Sequence, residues 1–198
     1  RISAHMLGVG CFAMDVGAMT VFLYTFQQRE HVYNLAEQIS GARFTTSYTR
    51  VGRQTRDISE KTLKEVGEFL DQLEPVIEEV DALLTRNKIF IDRTEGVGAV
   101  TKEDAISFGL TGPNLRGCGV DHDLRKANPY LGYEKYDFDV PIGSKGDSFD
   151  RYLVRMEEMR QSVKILRQVL ANMPQGEINV VDPKNRLPRK ERVMMNME

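Results

Sequence analysis

Cysteine is scarce in this sequence, and what there is does not have the spacing of a metal site. The 198 residues contain two cysteines, Cys11 and Cys118, which lie far apart. A disulfide framework or a structural zinc site needs more cysteines at short spacings, and no Cys-x-x-Cys pair occurs. Two isolated cysteines are typical of free thiols in a reducing compartment. Asp121, His122 and Asp123 do not suggest a metal either, because adjacent residues on one segment rarely converge on one ion.

Neither sign of charge is in excess. Lysine and arginine total 27, aspartate and glutamate total 29, and the net charge is −2. A nucleic-acid-binding protein needs a concentrated basic excess, so nucleic acid is excluded as a partner. The glycine-rich stretch Gly109–Gly119, interpreted as a loop, lacks the Gly-Lys-Ser/Thr ending of a phosphate-binding loop, which argues against a nucleotide site there. The composition is otherwise that of an ordinary globular domain.

Long apolar runs are also few, and the clearest is Met6–Phe26, which carries one charge, Asp15, near its middle. About 20 apolar residues can span a bilayer, so a transmembrane helix is one alternative. A central carboxylate is expensive in a bilayer, and charges resume at once with Arg29 and Glu30. The pattern therefore favours a buried helix, or two helices that meet near Asp15 and Gly17.

The position of Asp15 leaves two roles open. Burying an isolated carboxylate costs roughly several kcal/mol, so we expect Asp15 to be neutral, hydrogen-bonded or paired. It is either an N-cap that satisfies the N–H groups of a second helix, or a group that handles protons.

Helical periodicity dominates the rest of the chain. A helix continues from Gln28 and ends at Gly41, and another follows the cap pair Asp57 and Glu60. A capping box at Thr101 opens a short helix, and Asp147 caps the last long helix.

Two stretches are predicted to be extended. Ala42–Arg50 is rich in β-branched and aromatic residues, and Tyr136–Val140 alternates apolar and acidic residues as a half-exposed strand does. Four arginines follow in or near the first stretch, where they could bind an anion or an acidic partner surface, or form a solvated basic loop. These are Arg43, Arg50, Arg53 and Arg56.

Both ends of the sequence lack the usual helix signals. No cap precedes the helical pattern after Arg1, and the last residues, Val193–Glu198, show no turn signal. We expect residues 1–198 to be one domain and an internal fragment of a longer protein. Residues 179–198 are expected to form an extended arm or the start of a truncated element.

Several stretches match the pattern of one family in the same order: Asp15–Thr20, Ser40–Arg43, Gly109–Gly119 leading to Asp123–Lys126, Phe138–Asp147, Asp150–Arg160 and Met173–Gly176. Together they resemble the 49-kDa subunit of respiratory complex I, the proton-pumping NADH–quinone oxidoreductase. The resemblance covers nearly all of this sequence and the middle of the family's sequence.

The resemblance implies a mainly α fold related to the large subunit of nickel–iron hydrogenases: a helical bundle with a few short strands and long loops. It implies that the family lost the metal and uses the cavity for quinone, next to an iron–sulfur cluster on a small neighbouring subunit, the B subunit. The C subunit and the membrane-arm subunit at the quinone entrance are the other implied partners. The location implied is peripheral, on the cytoplasmic side of the bacterial inner membrane or on the mitochondrial matrix side.

The resemblance also implies roles for five residues. Asp15 is expected to be a proton relay and the partner of a quinone-binding histidine outside this chain. Leu7 and Cys11 are expected to line the quinone cavity, and Arg43 and Arg50 to lie near the cluster-bearing subunit. The fragment alone is expected to bind no NADH, flavin or cluster and to be inactive. Two alternatives remain: a membrane-bound hydrogenase-type large subunit, and a non-catalytic helical scaffold in which Asp15 is only a cap.

Overall fold

The computed structural model describes residues 1–185 and 188–195. Four long helices form a bundle: α1 (Ile2–Asp15), α2 (Met19–Ser40), α3 (Glu60–Leu84) and α8 (Ser148–Ala171). They pack in the order α1, α2, α3, α8, and α8 closes back on α1. The mainly α fold is thus confirmed. The core between the helices is built from apolar stripes that include Met6, Val9, Ala13, Val21, Leu70, Leu73, Ile77, Tyr152, Met156, Met159 and Val163.

The long apolar run folds as two helices, which is the second of the two predicted arrangements, and they meet at a sharp corner. Gly17 has a φ of +98°, which glycine adopts without the steric cost of a side chain. Gly10 lets α1 and α2 approach closely, because a Cβ there would lie 2.3 Å from Thr25 Oγ1. Among the helices of the described residues, none combines the length and apolar character that crossing a membrane requires.

Short helices connect α3 to α8. They are α4 (Lys88–Thr94), α5 (Lys102–Ser107), α6 (Gly112–Gly117) and α7 (Leu124–Ala127), followed by a 3-10 turn at Tyr133–Lys135. The glycine-rich stretch is therefore not all loop, since α6 lies within it. Ala105, Leu115 and Cys118 form a second, smaller core beneath α5 and α6.

Three helix ends are confirmed. The side chain of Asp147 accepts a hydrogen bond from the N–H of Asp150 at 2.8 Å. Thr101 caps α5 through the N–H of Asp104 at 3.1 Å. Gly41 ends α2 with a φ of +82°. All three signals are local, so the sequence was sufficient to find them.

The predicted start of α3 is wrong in detail. Asp57 lies outside the helix, and the N-cap is Ser59, whose hydroxyl accepts from the N–H of Thr62 at 3.1 Å. Both residue types are good caps, and the serine lies immediately before the first helical residue.

A small hairpin follows α2, and only the last two residues of the stretch predicted to be extended, Ala42–Arg50, lie in a strand. Strands β1 (Thr49–Arg50) and β2 (Arg53–Gln54) pair antiparallel. The start of the expected arm lies beside β2, where Asn179 forms a bridge with Arg53. The arm is not extended throughout, because a 3-10 turn forms at Pro183–Asn185 and α9 spans Lys190–Met195. Residues 186, 187 and 196–198 of the arm lie outside the described part of the chain.

The strand predicted at Tyr136–Val140 does not form. This segment lies along α8, and helix side chains take the place of a neighbouring strand. The N–H of Asp137 donates to Gln168 Oε1 at 2.9 Å, and that of Asp139 donates to Gln161 Oε1 at 3.0 Å. The alternating pattern indicated an extended segment with one face covered, but it could not reveal that the cover is a helix.

Candidate functional site

Helix α1 has two faces of different character. One face enters the core through Met6, Val9 and Ala13. The opposite face carries Leu7, Cys11 and Asp15, which are spaced i, i+4, i+8 and so lie in one row. We call these three residues the outer face of α1. The structure therefore brings together the three residues that were expected to line or serve a quinone cavity.

The outer face is open to solvent in this chain. The side chain of Leu7 is 40 % exposed, Cys11 is half-buried and Asp15 is exposed. The expected burial of Asp15 is therefore wrong for this chain. The reason is helical geometry, because Asp15 lies two positions after the core residue Ala13 and points about 200° away from it.

Asp15 is not an N-cap either. It is the last residue of α1, and α2 begins after Ala18, which makes no side-chain cap. The N-cap role considered for this carboxylate is thus excluded.

Arg43 and Arg50 lie on different elements. Arg43 folds back on α2, where it pairs with Glu30 and donates to Asn34 Oδ1 at 2.8 Å. Arg50 is exposed in β1, directly opposite Arg53. Arg43 is thus already paired within the chain.

A buried ionic cluster on the inner side of α1 escaped the sequence analysis. Its centre is Glu158 of α8, whose side chain is fully buried. Glu158 Oε2 accepts from His5 Nε2 at 2.6 Å and from Arg1 Nη1 at 3.0 Å. Glu158 Oε1 accepts from Arg116 Nε of α6 at 2.7 Å. One carboxylate therefore ties α1, α6 and α8 together.

A second carboxylate extends the cluster to α7. Asp123 is buried, caps α7 and pairs with Arg125 through contacts of 2.7 Å and 3.0 Å. Arg116 connects the two acids, since its Nη1 lies 3.9 Å from Asp123 and donates to the carbonyl of His122 at 2.8 Å. We call Arg1, His5, Arg116, Asp123, Arg125 and Glu158 the buried ionic cluster.

The surroundings fix the protonation of this cluster. Burial alone would raise the pKa of Glu158, but the hydrogen bond from His5 and the charge of Arg116 outweigh it and lower the pKa to about 2. The pKa of Asp123 falls to about 2 as well, because Arg125 outweighs the effect of burial. Burial lowers the pKa of His5 despite its bond to Glu158. At neutral pH the two acids are charged and His5 is neutral.

A pH dependence of stability follows from the lowered pKa of Glu158. A carboxylate with a depressed folded-state pKa stabilises the fold above its ordinary value of 4.5, and this stabilisation is lost as the pH falls towards about 2. We expect Glu158→Gln to be less stable than wild type by roughly 3 kcal/mol at pH 6, and the gap to narrow towards pH 2. Urea unfolding of both proteins across this range measures it, and a gap independent of pH would contradict the assignment.

The buried ionic cluster can hold α1 in one rotational setting. Its contacts lie to one side of α1, and the outer face lies to the other, so the cluster fixes where the outer face points. One row at helical spacing on α8 is buried in the structure: Val154, Glu158, Ser162 and Ile165. This is a second buried stripe on α8, and it shows that the helix is covered on two sides.

No metal ligand set accompanies these features: within residues 1–185 and 188–195, no three His, Cys, Asp or Glu side chains are grouped so as to hold an ion.

A family model and several known proteins that are similar to this chain point to the same family. Residues 15–198 match the family model described as respiratory-chain NADH dehydrogenase, 49 Kd subunit. The whole chain is 60% identical to the D subunit of the NADH-quinone oxidoreductase of Methylacidiphilum infernorum, of which it covers 47%. It is 57% identical to the same subunit of Akkermansia muciniphila, covering 48%, and 46% identical to that of Myxococcus xanthus, covering 48%. The chain thus spans about half the length of these relatives.

Proposed function

Because this chain belongs to the family of the 49-kDa subunit of the respiratory-chain NADH dehydrogenase, we propose that it works in an NADH–quinone oxidoreductase and that the outer face of α1 lines the cavity where quinone is reduced. The observation that carries this proposal is the row of Leu7, Cys11 and Asp15, in which Leu7 and Asp15 are exposed and Cys11 is half-buried. Two apolar side chains followed by a carboxylate suit a ligand with a hydrophobic ring and oxygen atoms that take up protons.

The outer face of α1 has a limited role in quinone reduction: it helps to deliver protons and to shape the cavity. Reduction of a quinone to a quinol takes two electrons and two protons. The electrons come from an iron–sulfur cluster on the neighbouring B subunit, and this chain does not hold it. The two protons come from a histidine and a tyrosine outside this chain. Asp15 orients the histidine and returns a proton to it after each turnover, while Leu7 and Cys11 form the apolar wall.

The remaining assignments concern position in the complex. Arg50, exposed on the hairpin, and Arg43, seven residues before it, face the cluster-bearing B subunit. The C subunit and the membrane-arm subunit at the quinone entrance are the other neighbours. The protein is peripheral, on the cytoplasmic side of the bacterial inner membrane or its mitochondrial counterpart. The isolated chain has no quinone reductase activity, because its electron donor is elsewhere.

Bulk on the outer face should block quinone. We expect Leu7→Trp, in the full-length gene in its host, to lower NADH–quinone activity roughly tenfold or more while NADH–ferricyanide activity persists, since ferricyanide takes electrons upstream of the quinone site. Leu83→Trp is a matched control, because Leu83 on α3 is 42 % exposed and Leu7 is 40 % exposed.

Two results would reject the assignment. If both tryptophan variants reduce quinone at the wild-type rate, the outer face does not border the cavity. The alternative of a non-catalytic helical scaffold is then favoured. If both lose activity equally, the effect is not specific to α1. Metal-binding Cys-x-x-Cys pairs in the full gene would favour the hydrogenase-type alternative instead.

A further inference from the structure

A cleft runs between α1, α6 and α8, immediately beside the outer face of α1. Its volume is about 190 Å³. The wall of the cleft formed by α1 is apolar or open. The wall formed by α8 carries the guanidinium groups of two arginines that lie one turn apart. The residues that define the cleft are Gly8, Val9 and Phe12 of α1, Asn114 of α6, and Arg151 and Arg155 of α8. We call it the arginine cleft.

The two arginines of the cleft bond only to neutral groups. Arg155 donates to the carbonyl of Arg151 at 2.9 Å and to Asn114 Oδ1 at 2.8 Å. Arg151 donates to the carbonyls of Gly146 and Gly98, at 2.7 Å and 2.8 Å, and to the hydroxyl of Ser148. A guanidinium has five N–H donors, so both side chains keep donors to spare.

Other arginines of the same helix behave differently. Arg160 lies within ion-pair distance of Glu78 and Asp81, and Arg167 of Asp71 and Glu74. In the described part of the chain, neither cleft arginine has a carboxylate within that distance. In its described part, the chain therefore places acids within ion-pair distance of Arg160 and Arg167, and none within that distance of Arg151 or Arg155.

The positive charges of Arg151 and Arg155 have no carboxylate within ion-pair distance in the described residues. Two like charges one turn apart repel, and removing a guanidinium from water is costly without a counter-charge. Burial lowers the pKa of Arg155; the charge of Glu158 partly offsets this effect, and the charge of Arg151 adds to it. An anion in the cleft would relieve both penalties.

We propose that the arginine cleft receives an aspartate or glutamate side chain from a neighbouring subunit of the complex. A guanidinium pair matches a carboxylate in geometry and charge. The apolar wall of Val9 and Phe12 suits the hydrocarbon stem of such a side chain better than a free inorganic anion, which has none. The proposal rests on the proposed function only in placing the chain within a complex.

The experiment converts the ion pair into a covalent bond. R155K is introduced into the full-length protein, and the assembled complex is treated with a carbodiimide, which joins an amine to a carboxylate in contact without adding a spacer. Mass spectrometry then identifies the peptide attached at position 155. R167K is the matched positive control, because its amine should join Asp71 or Glu74 within the chain. R151K repeats the test one turn away.

A cross-link from position 155 or 151 to an acid of another subunit is the expected result. A link to an acid of the same polypeptide, or none at either position while R167K reacts, overturns the proposal. The readout is independent of quinone turnover. A link together with wild-type activity in the α1 variants would therefore reject the quinone assignment and leave the docking site standing.

Discussion

Replacing Glu158 with alanine is expected to lower the free energy of unfolding by roughly 3–5 kcal/mol, the largest stability effect of any single change that we foresee. The side chain is fully buried and bonds to His5, Arg1 and Arg116. Its removal leaves the buried cation of Arg116 with only the more distant carboxylate of Asp123 at 3.9 Å, and a poorly paired buried charge costs more than the original pair gained. Urea unfolding of the chain, monitored by circular dichroism, measures the loss.

Glu157→Ala is the matched control, because the same residue type lies one position earlier on the same helix. Glu157 is half-buried and its nearest cation, Arg160, lies 3.5 Å away near the surface. Ion pairs of this kind contribute about 0–1 kcal/mol. Equal losses in the two variants would show that the buried ionic cluster is not a special contributor to stability.

Replacing Asp15 with asparagine should separate proton delivery from electron delivery. Asparagine keeps the shape of the side chain but cannot carry a proton, and a positioned proton-transfer group contributes about 10²–10⁴-fold to rate. In membranes that hold the full complex, we expect NADH–quinone activity to fall roughly tenfold or more. NADH–ferricyanide activity and the amount of assembled complex should be unchanged.

Asp139→Asn provides the control for this experiment, since Asp139 is also exposed but lies on the segment along α8. Only the Asp15 variant should lose quinone reduction. If neither variant does, Asp15 is not a relay, and the family assignment would stand without the mechanism attached to it. If assembly fails in the Asp15 variant alone, the carboxylate is structural and the scaffold alternative is favoured.

The features that the sequence predicted well depend on neighbours along the chain. The cap at Asp147, the capping box at Thr101 and the terminating Gly41 involve residues only a few positions apart. The break between α1 and α2 is local too, because Gly17 supplies the backbone conformation that the corner needs. These signals required no knowledge of the tertiary fold.

The features that it predicted poorly depend on distant partners. In the sequence, Glu158 is one acid among several on a polar helix. Only the structure shows that α1 and α6 cover it. Asp15 reads as buried because its neighbours are apolar, yet the surface above it is open in this chain. The row of Leu7, Cys11 and Asp15 could have been found from helical spacing, but spacing does not say which face of α1 enters the core.

The bond between His5 and Glu158 has a consequence for the order in which the protein can fold during synthesis. The two residues are 153 positions apart, and α1 is made first. At about 5–20 residues per second, the ribosome needs roughly 8–30 s to produce the acid that α1 requires. Pairing with α2 can begin long before that, because α2 follows within three residues. The hairpin of α1 and α2 therefore remains uncovered on one side until α8 has been translated and can pack against α1.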